Sequence, residues 1–200
     1  LYCLAVSLLT DQAWIASAMM VSMAGLTLSV ATIYGGGDQQ PATIRATPMT
    51  KTAAAAWTIV QLVVFWCIFL WILPRGIVEL ESRLGMPSFA HAYQSLIATG
   101  LFFFASILGL WSGLTMATRG DGTPLPTATA PKLVVAGPYR WVRNPMAVAG
   151  ILQGIAVGWI VGSYSVITYA LLGALVWHLF VRPVEEADLQ SRFGDRYASY

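Results

Sequence analysis

Two polar stretches in the C-terminal part of the chain contain the residue types that could perform chemistry. Residues 132–145 contain a Gly-Pro turn followed by tyrosine and arginine side chains, and residues 182–200 contain adjacent carboxylates, arginines and tyrosines. A carboxylate can pair with an ammonium group, an aromatic ring can lie against a cation, and a guanidinium group can bind an anion. The two stretches could hold a charged small molecule if the chain brings them together.

The segment between these stretches predicts a helical hairpin that returns the chain to its starting side. Residues 145–181 contain almost no ionisable side chain, and a Gly-Ser pair at 162–163 favours a turn. Glycines at a spacing of four line one helical face and let another helix pack closely, most simply the returning arm. The glycines at this spacing are Gly150, Gly154 and Gly158.

The rest of the chain has the composition of a membrane protein. Hydrophobic residues make up 57% of the 200 residues and charged residues only 10%, whereas an average soluble domain has about 25% charged residues. Apolar segments near 13–34, 53–74 and 90–118 reach the roughly 20 residues needed to cross a bilayer as helix. The predicted fold is all-α, a polytopic membrane protein with about three single spans, the C-terminal hairpin and an amphipathic tail.

The basic residues predict which loops share a side of the membrane. With this arrangement of spans, one side receives only Arg75 and Arg83, and the positive-inside rule makes the other side cytoplasmic. We therefore expect the polar stretches and the C-terminus to be cytoplasmic. The basic residues assigned to that side are Arg45, Lys51, Arg119, Lys132, Arg140, Arg143, Arg182, Arg192 and Arg196.

No metal site is predicted. Cys3 and Cys67 lie far apart and form no C-x-x-C pair, and Cys67, inside an apolar span, is expected to be a small packing residue. The net charge of +2 gives no reason to expect nucleic acid as a partner.

The two polar stretches resemble the motifs of the isoprenylcysteine carboxyl methyltransferase and phospholipid methyltransferase family of membrane enzymes. The resemblance covers about residues 131–200. It rests on the pattern L-V-x-x-G-P-Y-x-x-x-R-x-P, an apolar hairpin, and then E-E-x-x-L-x-x-x-F-G-x-x-Y-x-x-Y.

This resemblance implies that S-adenosylmethionine binds between the loop before the hairpin and the helix after it. It also implies catalytic roles for Arg143 and Arg182, although Arg182 matches the family's substrate-binding arginine only approximately. The residues implied to bind the cofactor are Pro131, Lys132, Leu133, Val134, Tyr139, Asn144, Pro145, Met146, Ala147 and Glu185.

The sequence departs from the family pattern at two positions. Many members have R-H-P-x-Y where this chain has Arg143-Asn144-Pro145-Met146-Ala147, so an imidazole and a phenol are missing. Asn144 can still donate and accept hydrogen bonds, whereas Ala147 cannot replace a tyrosine hydroxyl.

Other polar residues near the motifs have simpler explanations. Glu186 is expected to face water or lipid head groups, and both glutamates could interact with the dipole of the last helix. His178 is expected to be a packed or interfacial side chain. Tyr197 and Tyr200 are expected to dock the tail onto the bilayer surface.

The functional prediction is methyl transfer from S-adenosylmethionine to a lipophilic acceptor that enters from the bilayer. Residues 1–118 are assigned to the substrate-side helices, and residues 119–200 to the cofactor-binding loop, hairpin and tail. The acceptor could be an isoprenylcysteine-type carboxylate, a phospholipid amine or a hydrophobic thiol, and the absence of a convincing base favours a carboxylate or thiolate. The alternatives are a membrane reductase that uses a nicotinamide cofactor, and a scaffold or transporter without catalytic activity.

Overall fold

The computed structural model describes residues 50–120 and 131–200, and these residues form helices joined by loops. The span predicted near 13–34 lies outside the described residues. Within them, three helices are long and apolar enough to cross a membrane, namely Lys51–Arg83, Gln94–Arg119 and Tyr164–Phe193. The predicted all-α membrane fold is therefore confirmed.

The first of these helices contains a π-helical segment. Helix α1 (Lys51–Phe65) begins at Thr50, whose hydroxyl accepts a hydrogen bond from the Ala53 amide at 3.3 Å. It continues through a π-helical segment, Trp66–Ile72, into α2 (Leu73–Arg83).

A proline accounts for this change in winding. The amide of Leu73 bonds to the carbonyl of Ile68, five residues earlier, and Pro74 follows immediately. Because a proline ring clashes with the carbonyl four residues before it, a wider turn at this point keeps the helix continuous.

A second π-helical segment precedes a proline near the C-terminus. The amide of Arg182 bonds to the carbonyl of Trp177, again five residues earlier, and Pro183 follows. After α2, the elements in chain order are α3 (Gln94–Arg119), a 3-10 turn (Gly137–Arg140), α4 (Pro145–Val161) and α5 (Tyr164–Val176). Helix α5 continues through the second π-helical segment, Trp177–Val181, into α6 (Arg182–Phe193), and α7 (Asp195–Ala198) follows.

The hairpin predicted at 145–181 is confirmed, with its turn at the predicted place. Gly162 ends α4 with a positive φ of 69°, a conformation that glycine adopts without steric cost. The hydroxyl of Ser163 then caps α5 by accepting a hydrogen bond from the amide of Val166 at 3.0 Å.

Two of the three spaced glycines lie where α4 meets α5. A Cβ added at Gly154 would be 2.9 Å from the Cβ of Ala170, and one added at Gly158 would be 2.8 Å from the backbone nitrogen of Ile167. The predicted packing of this face against the returning arm is therefore confirmed for these two positions. Gly150 instead faces Phe65 of α1.

Helix α4 packs against both α3 and α5, and α1 also packs against α3. The turn of the hairpin contacts the loop between α2 and α3, where the amide of Phe89 donates to the carbonyl of Gly162 at 2.9 Å. Glu81 of α2 accepts a hydrogen bond from the amide of Ser165 at 3.1 Å. These contacts fix the turn at the opposite end of the helices from the two polar stretches.

The packing role predicted for Cys67 is wrong, because its side chain is exposed. It lies in an open apolar groove of about 380 Å³, and the groove is also lined by Trp66, Leu70, Trp71, Phe102, Val157 and Ile160.

Candidate functional site

The base of the hairpin brings the two polar stretches together through Asn144 and Glu185. The side-chain amide of Asn144 donates to Oε2 of Glu185 at 3.1 Å, although the two residues are 41 positions apart. The carbonyl oxygen of the same side chain accepts a hydrogen bond from the amide of Ala147 at 3.1 Å and thereby caps α4. Asn144 therefore caps the first helix of the hairpin and also bonds to Glu185.

This geometry explains how the chain accommodates asparagine where many family members have histidine. An asparagine at a helix start accepts a hydrogen bond from the backbone through its oxygen, and its amide group remains available to donate. Ala147, where a tyrosine is common, contributes its backbone amide to this cap.

Tyr139 lies beside this pair, on the 3-10 turn of the loop. Its residue is only 5% exposed, and its backbone carbonyl accepts a hydrogen bond from the hydroxyl of Tyr200. Burial raises the pKa of the Tyr139 hydroxyl well above its usual value, and the nearby Tyr200 and Glu185 raise it further. Tyr139 is therefore a neutral phenol at physiological pH.

The glycine before this turn lets the loop approach α3. Gly137 has a positive φ of 56°, and a Cβ at this position would be 2.8 Å from Oγ1 of Thr115 on α3. The ring of Trp141 packs edge-on against Trp111 of the same helix, with a centroid distance of 6.0 Å. The Gly-Pro-Tyr motif therefore positions Tyr139 by seating the loop on α3.

A second cluster joins the two arginines to which the resemblance assigns catalytic roles. Nε of Arg182 lies 3.0 Å from Oε1 of Glu186, and Nη1 of Arg143 lies 4.0 Å from the same oxygen. The side chain of Glu186 is 33% exposed, so these ion pairs remain partly hydrated. Arg182 also lies 3.4 Å from Nδ1 of His178, one helical turn earlier.

Two tyrosines of the tail complete this cluster. The guanidinium carbon of Arg143 lies 5.2 Å from the ring centroid of Tyr197 and 6.0 Å from that of Tyr200. Tyr197 is only 5% exposed, so the prediction that it docks on the bilayer surface is wrong. Tyr200 also faces the loop, through its hydrogen bond to Tyr139. Their rings instead hold Arg143 through cation–π contacts.

The other residues implied to bind the cofactor differ in how far they are buried. Val134 and Pro145 are buried, whereas Lys132 is exposed and Pro131 and Leu133 are partly buried. The end of the Met146 side chain points toward Gly113 of α3. Cofactor binding by these residues stays a prediction.

Sequence reasoning missed three participants, Glu186, Tyr197 and Tyr200. The spacing of four between Arg182 and Glu186 is a local signal for a helical ion pair. No local pattern in the sequence indicates that the side chains of Tyr197 and Tyr200 face Arg143 and the loop, because their position depends on how the tail folds back onto the loop.

Among the described residues, no group of three or more histidine, cysteine, aspartate or glutamate side chains is placed to hold a metal ion. The polar site is built from hydrogen-bonding, cationic and aromatic groups. It lies at the end of a membrane-spanning bundle, next to the start of α4.

Comparison with known proteins identifies the family. No curated protein and no solved structure matches the chain. The sequence model of the phospholipid methyltransferase family matches residues 93–196, just over half of the 200 residues, and the match includes α3, the hairpin and both polar clusters except Tyr197 and Tyr200. The chain therefore belongs to the phospholipid methyltransferase family and is a membrane methyltransferase.

Proposed function

We propose that the protein transfers the methyl group of S-adenosylmethionine to a lipophilic acceptor at the end of the bundle where the polar clusters lie. The observation that carries this proposal is the position of Glu185, a partly buried carboxylate held by Asn144 beside the buried phenol of Tyr139. A carboxylate in such a place can bind the ammonium group of an amino acid moiety.

The residues of the site fit this cofactor. Within the described residues, Asn144 donates a hydrogen bond to only one oxygen of Glu185, so the carboxylate retains acceptor capacity for a cationic ligand. Tyr139 provides an aromatic ring, and the buried side chains of Val134 and Pro145 provide an apolar wall. Pro131, Lys132, Leu133, Met146 and Ala147 are proposed to complete the site.

When bound, S-adenosylmethionine would supply an electrophilic methyl group to a lone pair of the acceptor, and the sulfur would leave as a neutral thioether. The protein must align this in-line displacement and exclude water from it. Arg143 and Arg182 are proposed to bind an anionic part of the acceptor. Glu186 pairs with both guanidinium groups, and the rings of Tyr197 and Tyr200 also contact that of Arg143.

The acceptor classes under this proposal are an isoprenylcysteine-type carboxylate, a phospholipid amine and a hydrophobic thiol. A carboxylate or thiolate reacts without a strong base, whereas an ammonium head group must first lose a proton. The acceptor is proposed to enter sideways from the bilayer along the N-terminal helices, and residues 119–200 are proposed to bind the cofactor.

The proposed orientation places this end of the bundle in the cytoplasm, where the cofactor is available. It is supported by the excess of basic residues near the polar clusters, since the other end receives only Arg75 and Arg83.

Titration of the purified protein with S-adenosylmethionine, and separately with a reduced nicotinamide, tests the proposal. We expect saturable binding of S-adenosylmethionine, weakened by Glu185→Gln. Binding of the nicotinamide alone would favour a reductase, and binding of neither would favour a scaffold or transporter.

A further inference from the structure

Within the described residues, an open apolar groove lies beside the π-helical segment that follows α1. Its volume is about 380 Å³, and its walls include Trp66 and Trp71 of that segment, Phe102 of α3, and Val157 and Ile160 of α4. Trp71 is 63% exposed and Ile160 is 39% exposed. Because helices in a membrane associate through van der Waals packing, a concave surface of this kind can take a further helix.

One side of α1 leads into this groove. Residues at spacings of four, three and four lie near one side of a helix, and those that lead here are Val60, Val64, Cys67 and Trp71. Val60 is 46% exposed and Val64 is 51% exposed, and Cys67 is exposed as well. Within the described part of the chain, a largely exposed apolar surface therefore extends from the middle of α1 into the groove.

An apolar segment of spanning length precedes α1 in the sequence. Residues 13–34 contain no Asp, Glu, Lys or Arg, and residues 35–49 join them to the start of α1. A segment that crosses the membrane there must end on the side where α1 begins, so it runs in the opposite direction to α1. Elements that are consecutive in the chain are usually neighbours in space, which favours a position against α1.

The direction of this segment decides which of its residues lie level with the groove. Cys67 lies sixteen residues after Lys51, the first residue of α1, and Ala18 lies sixteen residues before Tyr34. Sixteen residues of helix rise about 24 Å. With Tyr34 and Lys51 at the same depth, Ala18 is therefore level with Cys67.

The segment has small residues at this level, whereas the walls of the groove are large. Ala18 begins a series of small residues at helical spacing, and the others are Ser22, Gly25 and Ser29. In a membrane, such a side lets a helix approach another surface closely. The aromatic residues Trp66 and Phe102 line the groove, so small residues in the segment would leave room for their rings.

We propose that residues 13–34 occupy this groove as a helix antiparallel to α1, with Ala18 against Cys67. The segment is tethered to α1, which gives it an effective concentration beside the groove that a second copy of the chain lacks. A lipid chain would have to give up much of its conformational freedom to fill a fixed shape. The proposal concerns the assembly of the bundle and does not depend on the methyl-transfer function.

The test uses the natural Cys67 as one partner of a disulfide, in the full chain with Cys3→Ser. Ala18→Cys is the test variant. One control is Met20→Cys, at nearly the same depth but about 200° round the helix, and the other is Leu28→Cys, about 15 Å further along it. A protease site inserted after Gly36 separates the segment from α1 after cleavage, so fragments that stay joined on a non-reducing gel report an intramolecular disulfide.

Oxidation with iodine in membranes should join the fragments of Ala18→Cys several-fold more than those of either control, because a disulfide needs Cβ atoms within about 4.5 Å of each other. Equal joining in all three variants would overturn the proposal. Joining in none of them would overturn it in favour of a lipid chain in the groove. A disulfide-linked dimer before cleavage would overturn it in favour of a second copy.

Thermal unfolding in detergent gives a second measurement that needs no disulfide. A large side chain forced into a filled site destabilises a protein, so Ala18→Phe should lower the unfolding temperature by at least about 2 °C. Met20→Phe, on the opposite side of the segment, should leave it unchanged. The same unfolding temperature in both variants would overturn the docking of this side in the groove. If S-adenosylmethionine fails to bind the unmodified protein, only the methyl-transfer proposal fails.

Discussion

The hydrogen bond from the Asn144 side chain to Glu185, 3.1 Å long, joins the first residue of the hairpin to the helix that follows it. Because the same asparagine caps α4, the position of the carboxylate is tied to the start of a membrane helix. The same side chain therefore caps α4 and contacts the carboxylate of the site.

We expect Glu185→Gln to weaken S-adenosylmethionine binding by about 2–3 kcal/mol, because a charged ligand would lose its partner in a partly buried site. Glu186→Gln should weaken it by less than about 1 kcal/mol, since Glu186 pairs with arginines at a partly hydrated position. Calorimetric titration of both variants in detergent decides between them. Equal, small losses would mean that the two glutamates are only a helix-start feature.

Replacing Asn144 should separate its two roles, which are to cap α4 and to position the carboxylate of Glu185. Asn144→Ser keeps a good capping residue but is too short to reach Glu185 as the asparagine does. We expect near-normal thermal stability and binding of S-adenosylmethionine weakened by about 1 kcal/mol, the effect of one hydrogen bond. Asn144→Ala should in addition lose about 1 kcal/mol of stability with the cap. Full cofactor affinity in both variants would show that Asn144 does not position the carboxylate.

Glu186→Gln should also slow methyl transfer while leaving cofactor binding nearly unchanged. Its carboxylate contacts both Arg143 and Arg182, and its loss frees two side chains that we propose bind the acceptor. The expected result is a KM for the acceptor raised several-fold, measured at saturating S-adenosylmethionine. If KM is unchanged, the ion pairs have no part in acceptor binding.

The glycines of the hairpin should differ in their tolerance of alanine. At Gly158 an added methyl group would lie 2.8 Å from the backbone nitrogen of Ile167, whereas at Gly173 it would meet nothing within 4 Å. Overpacking costs about 1–3 kcal/mol, so Gly158→Ala should lower the thermal unfolding temperature in detergent and Gly173→Ala should not. Similar unfolding temperatures would argue against close packing of α4 on α5.

The orientation in the membrane can be tested with two serines that have matched surroundings. Ser82 and Ser191 are both exposed and donate to a carbonyl three residues earlier. In a background without Cys3 and Cys67, Ser82→Cys and Ser191→Cys should be labelled from opposite sides of sealed vesicles, with Ser191→Cys on the cytoplasmic side. Labelling of both from one side would contradict the proposed topology.

The sequence by itself determined the helical membrane fold, the hairpin and its turn. These features follow from long apolar segments and from the local conformations of Gly162 and Ser163, so they need no knowledge of distant contacts. The resemblance also selected Glu185 rather than Glu186 as the carboxylate of interest, and the structure places Glu185 against Asn144.

Only the tertiary structure decided which side chains meet. Tyr197 lies over Arg143 and not on the bilayer surface because the tail folds back onto the loop. Thr58 is buried because α1 packs against α3 at Gly113. Contacts of this kind join residues tens of positions apart, and the packing of whole helices sets them, so no local pattern in the sequence could specify them.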